Sequence, residues 1–227
     1  NLLGLPVTVG NNDQMSVYPA SIEGTLFSFE DSYVQESELN PGTGYWLRFE
    51  ETGETNITGS SISSLTIPMQ ADWNLISGIS TPVQFTDIVD PEGIVIPGTL
   101  FGFGESYEQA DGLEPGKAYW LRTTDSGEIH LGSVRGAKVT QGSNPDNMNS
   151  ITVRGMTLYF GEEVDETEKL RYSLPPKPPA GAFDVRYTDN TRICYKECDI
   201  EVISTTETLI IAYNIKIDAS EHMNWVL

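Results

Sequence analysis

Two cysteines, two histidines and a doubled set of Tyr-Trp-Leu-Arg residues are the side chains whose types and spacing can do chemistry. Cys194 and Cys198 stand in Cys-Tyr-Lys-Glu-Cys. Two thiolates cannot complete a tetrahedral zinc site, and no His lies near them in the chain. Within one extended strand, positions four apart are separated by about 13 Å, too far for a disulfide, whereas a tight turn brings them together. A small disulfide loop and a reduced pair in a hairpin therefore both remain open. His130 lies in Glu128-Ile129-His130-Leu131-Gly132, a strand-like alternation, and His222 is the other histidine. No HExxH, GxSxG or P-loop pattern occurs. A Ser-His-Asp triad depends on convergence in space and not on chain order. His130, however, sits in a repeated segment whose other copy has Asn56 at that place.

The aromatic set invites a sugar-binding reading, because sugar rings stack on exposed aromatic faces. Side chains alternate across a strand. Tyr45 and Leu47 therefore share one face, with Trp46 and Arg48 on the other; Tyr119 and Leu121 oppose Trp120 and Arg122 in the same way. One face must be core. The second carries a Trp and an Arg two residues apart, within reach of a cation–π contact. Trp46, Arg48, Trp120 and Arg122 are the candidate ligand platform, against a core reading in which the variable segment covers that face. Acidic pairs at Glu30-Asp31, Glu50-Glu51, Asp87 with Asp90, and 162–165 raise calcium as a possible cofactor, since calcium takes six to eight oxygens from loop carboxylates and carbonyls. No EF-hand loop occurs, and most such acids form a solvated surface.

These residues are positioned by an internal repeat. Residues 24–54 and 98–128 align without gaps at an offset of 74, with 17 of 31 positions identical. The openings match too, Asn1-Leu2-Leu3-Gly4-Leu5 with Asn74-Leu75-Ile76-Ser77-Gly78-Ile79, with one insertion. The second copy has Trp73 before that Asn, so the first is expected to begin just inside a module. Each copy reads as short strands: an opening strand, an aromatic strand at 25–29 or 99–103, a Pro-Gly turn, a Tyr-Trp-Leu-Arg strand, and a hairpin into 55–58 or 129–131. Phe27 and Phe101 are expected to be equally buried core residues. Thr81 as cap and Pro82 at the first helical position predict one or two helical turns, with Phe85, Ile88 and Val89 on one face and 12–18 as the counterpart. Linkers are read at 59–64 and 141–150.

A third module covers 151–227. Residues 151–154 and 157–160 flank Gly155 as a hairpin, and acidic 162–168 reads as a solvated loop. The Leu-Pro-Pro-Lys-Pro-Pro run at 174–179 must be extended at an edge or in a loop; its PPxP pattern also suits an SH3-like partner, but the run joins two strand patterns instead of lying in a disordered tail, which argues against that reading. Phe183, Val185 and Tyr187 alternate with Asp184 and Arg186, a half-buried strand. Residues 208–217 are apolar enough for a central strand, and Trp225 is expected to close the core. The fold class expected is all-β: two homologous β-repeats, 1–72 and 73–140, then a β-sandwich-like module at 151–227.

Composition excludes several functions. Lys+Arg 13 against Asp+Glu 33 gives a net charge of −20, which opposes nucleic-acid binding and an anionic membrane surface. No apolar run reaches the roughly 18 residues of a membrane span. No leader is visible, and the chain reads as a fragment or processed product.

Trp-Asn-Leu-Ile-Ser at 73–77, Gly-Thr-Leu-Phe at 98–101, Leu-Glu-Pro-Gly at 113–116 and Tyr-Trp-Leu-Arg at 119–122 resemble the C-terminal non-catalytic repeat modules of secreted proteins of Bacteroidetes-like bacteria that use type IX secretion. Residues 174–186 are similar to a segment that precedes the secretion-signal domain of those proteins. The resemblance implies an extracellular or cell-surface location, the remainder of a parent protein as partner, and an accessory role with no catalytic residues. The expectation is a spacer or interaction segment, not an enzyme. The alternative is a carbohydrate-binding array, with polysaccharide as partner, attached to a secreted enzyme.

Overall fold

The computed structural model describes residues 1–132, 135–140, 148–204 and 208–216. The fold is all-β. Its helical content among these residues is two four-residue helices, Gln14–Val17 and Glu166–Lys169, and the 3-10 turns Phe85–Asp87 and Leu170–Tyr172. Among the described residues no helix is long and apolar enough to cross a membrane. The chain forms two compact units, one of Asn1–Phe103 with Gln109–Gln141, the other of Gly104–Glu108 with Gly142–Leu227. The boundary read at 72/73 falls inside the first.

In the first unit, Leu2–Gly4, Gly44–Trp46, Phe27–Glu30 and Ser32–Gln35 form one antiparallel sheet in that order. Leu2 and Phe27 both stand opposite Trp46. In a second sheet Asp72–Ser77 and Phe101–Phe103 flank Ala118–Thr123, with Leu75 and Phe101 opposite Trp120. Alternation gives each sheet a core face. Leu5, Leu26, Leu39, Tyr45 and Leu47 form one core. Ile76, Leu100, Leu113, Tyr119 and Leu121 belong to the other, closed by Ser64–Met69 paired with Gly127–Gly132.

Positions 74 apart make matching local bonds. Thr25 Oγ1 donates to the Ile22 carbonyl at 2.6 Å, and Thr99 Oγ1 to that of Ile96 at 2.6 Å. The Asn40 amide donates to the Tyr45 hydroxyl at 2.9 Å, and the Glu114 amide to the Tyr119 hydroxyl at 3.0 Å. Gly42 and Gly116 take φ of 88° and 79° after their prolines, the left-handed turn conformation that glycine adopts without steric cost.

Four expectations are corrected in this unit. Thr81 caps nothing: Val83–Gln84 is extended and the turn is 3-10, at Phe85–Asp87. Phe85, Ile88 and Val89 are nevertheless all buried. The counterpart helix Gln14–Val17 is capped by Asp13, whose carboxylate accepts from the Met15 and Ser16 amides. Residues 55–58 form no strand, because the ladder partner that 129–132 find in Ser64–Met69 has no equivalent beside them among the described residues. Residues 60–61 of the linker instead pair with Val7–Thr8. Phe101 is buried, with the Trp73 ring 6.1 Å from it, but Phe27 is only half-buried.

Tyr18, buried in the first core, donates to the Gly4 carbonyl at 3.1 Å. Burial pushes its phenol from 10.0 up to about 12, and pushes Tyr45 and Tyr119 upward too. The folded state thus holds a proton that the unfolded chain releases near 10. This contribution to stability is complete below pH 10 and is lost as pH rises towards 12. Denaturation midpoints should fall across that window, and the fall should be shallower in Tyr18→Phe.

In the second unit, Asn149–Val153 and Met156–Phe160 form the expected hairpin through Arg154 (φ 47°) and Gly155 (φ 87°). Ile193–Cys194 joins one side in parallel and Ile211–Asn214 the other side antiparallel. Asp184–Tyr187 pairs separately with Ile200–Ile203. Tyr107 donates to the Pro176 carbonyl at 2.7 Å, holding the extended proline run. Three readings change here. Part of acidic 162–168 is helical, since the Asp165 carboxylate accepts from the Glu168 amide at 2.8 Å. The 208–217 segment contributes only Ile211–Asn214, paired on one side and exposed throughout. Asp184 and Arg186 are not on a solvent face: the whole strand Asp184–Tyr187 is buried. His222, Trp225, Ile217 and 141–147 of the expected linker lie outside the described residues.

Candidate functional site

The candidate platform lies on the strand faces turned away from the two cores of the first unit. Because Tyr45 and Leu47 fill one core and Tyr119 and Leu121 the other, Trp46 and Trp120 must point the opposite way. There they meet rings from the other copy. Phe29 packs edge-on against Trp120 with centroids 4.8 Å apart and planes at 78°. Trp46 packs edge-on against Phe103 at 4.8 Å and 72°. Phe103 is the match of Phe29, and Trp120 of Trp46, so one contact is made twice in reciprocal sense. Each edge-on pair adds roughly 0.5–1.5 kcal/mol beyond the area it buries.

The backbone repeats this reciprocity. The Gly4 amide donates to the Gly116 carbonyl at 3.1 Å, and the Ser77 amide to the Gly42 carbonyl at 2.9 Å. Leu3 bridges Lys117, and Ile76 bridges Thr43. Close approach needs small residues here. A Cβ on Gly4 would collide with the Ser77 Cβ, and one on Gly44 would lie 2.8 Å from the Ala118 Cβ.

This arrangement removes the exposed platform. Trp46 is 5% exposed and Trp120 0%, so neither offers a face on which a sugar can stack. The cover is the other copy, not the variable segment. Arg48 is exposed. Arg122 turns from Trp120 to lie over the Trp73 ring, 5.9 Å from its centroid, and pairs with Asp72 at 2.6 Å.

The other sequence candidates are placed separately. His130 Nδ1 is 2.9 Å from Thr66 Oγ1, and Nε2 is 3.4 Å from Glu128, an exposed carboxylate. Asp90 is buried with its oxygens accepting from the Ile94 and Val95 amides, and Asp87 pairs with Lys138. No cluster of three or more His, Cys, Asp or Glu suited to a metal occurs among the described residues. Cys194 and Cys198 form a disulfide across a turn, with Cα atoms 6.2 Å apart.

Sequence reasoning missed the charges buried in the second unit. Arg186 donates to both oxygens of Asp184, at 2.5 and 3.0 Å, and to the Pro175 carbonyl at 2.8 Å, with both side chains 1% exposed. The available signal was their i, i+2 spacing, which puts opposite charges side by side on one strand face. Arg192 is buried against the rings of Tyr159 and Tyr172, at 5.6 and 5.7 Å, and burial lowers its pKa. These groups are held by structural partners.

No protein-family model, curated protein or solved structure matches the chain.

Proposed function

We propose that this chain is a non-catalytic, extracellular β-module array that acts as a spacer or interaction segment of a larger secreted or surface protein. The supporting observation is the reciprocal seam of Phe29 with Trp120 and Trp46 with Phe103. The residues best suited to ligand recognition fasten one copy to the other, which suits a stiff connecting element. The disulfide at Cys194 and Cys198 is consistent with an oxidising compartment.

The test is a panel of polysaccharide and peptide substrates together with an immobilised glycan array, each with and without calcium. The expected result is no turnover and no saturable glycan binding. Turnover that disappears in His130→Ala would replace this reading with an enzyme. Saturable glycan binding would replace it with a carbohydrate-binding array.

A further inference from the structure

We propose that the Cys194–Cys198 disulfide is a redox-sensitive latch: a dithiol reductant opens it at Cys198, and the strand Ile200–Ile203 then comes off Asp184–Tyr187 while the rest of the second unit stays folded. This goes beyond the spacer reading and rests on its extracellular part, because an exported chain passes from a reducing compartment to an oxidising one.

The two cysteines are unequally placed. Cys194 is buried at the end of Ile193–Cys194, which lies parallel to Tyr159–Phe160, and its carbonyl accepts from the Gly161 amide at 3.0 Å. Cys198 is exposed, as are Tyr195, Lys196 and Glu197 between the two. A thiolate attacks the sulfur it can reach, so Cys198 Sγ is the one attacked. The S–S bond breaks, a bond forms from the reductant sulfur to Cys198 Sγ, and Cys194 leaves as a thiolate that takes up a proton. The second thiol of the reductant then attacks the reductant sulfur held on Cys198. That closes a cyclic disulfide and frees Cys198, which takes up the second proton. The reductant loses two electrons and two protons, and the cysteine pair gains them.

The strand next to the latch has little else to hold it. Among the described strands, Ile200–Ile203 pairs with Asp184–Tyr187 alone. Ile200 and Val202 remain 37% and 43% exposed, so they bury little apolar surface. Glu201 pairs with Lys177 at 2.7 Å at the surface, where an ion pair contributes little. A two-stranded ribbon is marginal by itself. The disulfide ties the start of this ribbon strand to a strand of the four-stranded sheet. That sheet has its own support, since Ile151, Val153, Met156, Leu158 and Phe160 are all buried. The cross-link has a sequence separation of four. For so short a loop the chain-entropy relation gives about a thirtyfold change in the opening equilibrium.

The probe is dithiothreitol added to the full chain, with amide exchange followed by mass spectrometry. Exchange at 200–203 and 184–187 should quicken about thirtyfold on reduction, stay unchanged at 149–160, and return to its first value on reoxidation. Cys198→Ser, at an exposed position that leaves no cavity, should exchange as the reduced chain does and ignore the reductant. Glutathione with rapid acid quenching tests the site of attack, because trypsin cuts after Lys196 and separates the two cysteines. The adduct is expected on the Cys198 peptide. The proposal is overturned if reduction leaves 200–203 unchanged, if 149–160 quickens equally, if Cys198→Ser exchanges as slowly as the oxidised chain, or if the adduct sits on Cys194. Any of these leaves the non-catalytic reading standing; turnover of a substrate would remove that reading while leaving the latch to be judged by its own exchange data.

Discussion

Trp120→Ala should destabilise the first unit by about 3–5 kcal/mol, the cost typical of emptying a large aromatic site in a packed interior. The indole is 0% exposed, and the rings of Phe29, Trp73 and Tyr33 stand 4.8, 6.4 and 6.5 Å from it. Its removal opens a cavity bounded by both copies, so amide exchange should quicken in Gly44–Trp46 as well as in Ala118–Thr123. Phe29→Ala should cost less, because Phe29 is only half-buried. The double variant should fall short of the sum by about 0.5–1.5 kcal/mol, the worth of an edge-on pair. A loss below about 1 kcal/mol for Trp120→Ala, on the scale of a surface substitution, would show that the seam is not packed as described.

Asp184→Ala should cost the second unit a similar amount, about 3–5 kcal/mol, by a different route. Its partner is the buried guanidinium of Arg186. With the carboxylate gone, a guanidinium that is 1% exposed retains the Pro175 carbonyl and Asn190, at 2.8 and 3.2 Å, but no counter-charge. Replacing both residues by apolar ones, as in Asp184→Leu with Arg186→Met, should recover much of the loss, since burying an ion pair carries a desolvation cost of its own. Urea denaturation of the three proteins decides this. If the single variant is no less stable than the double, the energetics of the pair have been misread.

The sequence disclosed pairs of side chains better than it disclosed what they pack against. A period of two placed Tyr45 with Leu47 and Trp46 with Arg48, and the structure keeps that division. It could not say that the second face meets the other copy, because alternation assigns residues to faces without naming the layer beyond. The same limit turned Asp184 and Arg186 into a solvent face: polar residues alternating with apolar ones usually mark an exposed side, and only a second covering layer reverses that. In residues 208–217 apolar composition suggested a central strand, whereas Tyr213 is 77% exposed at a position paired on one side only. The helix at Glu166–Lys169 was readable from Asp165 and Glu168, three apart, which is the spacing of a capping pair.

The Gly4–Ser77 and Gly44–Ala118 contacts bear on how such a chain can change over generations. Duplicated coding segments tend to overwrite one another, and overwriting would make the two copies alike. If the second copy replaced the first, Ser would face Ser and Ala would face Ala where backbones already touch. If the first replaced the second, Gly would face Gly and two voids would open at the centre of the seam. Overpacking and voids are both costly in close-packed surroundings. The copies are therefore barred from becoming identical at these places, however similar they stay elsewhere. A side chain added at Gly4 or Gly44 therefore needs room made at Ser77 or Ala118.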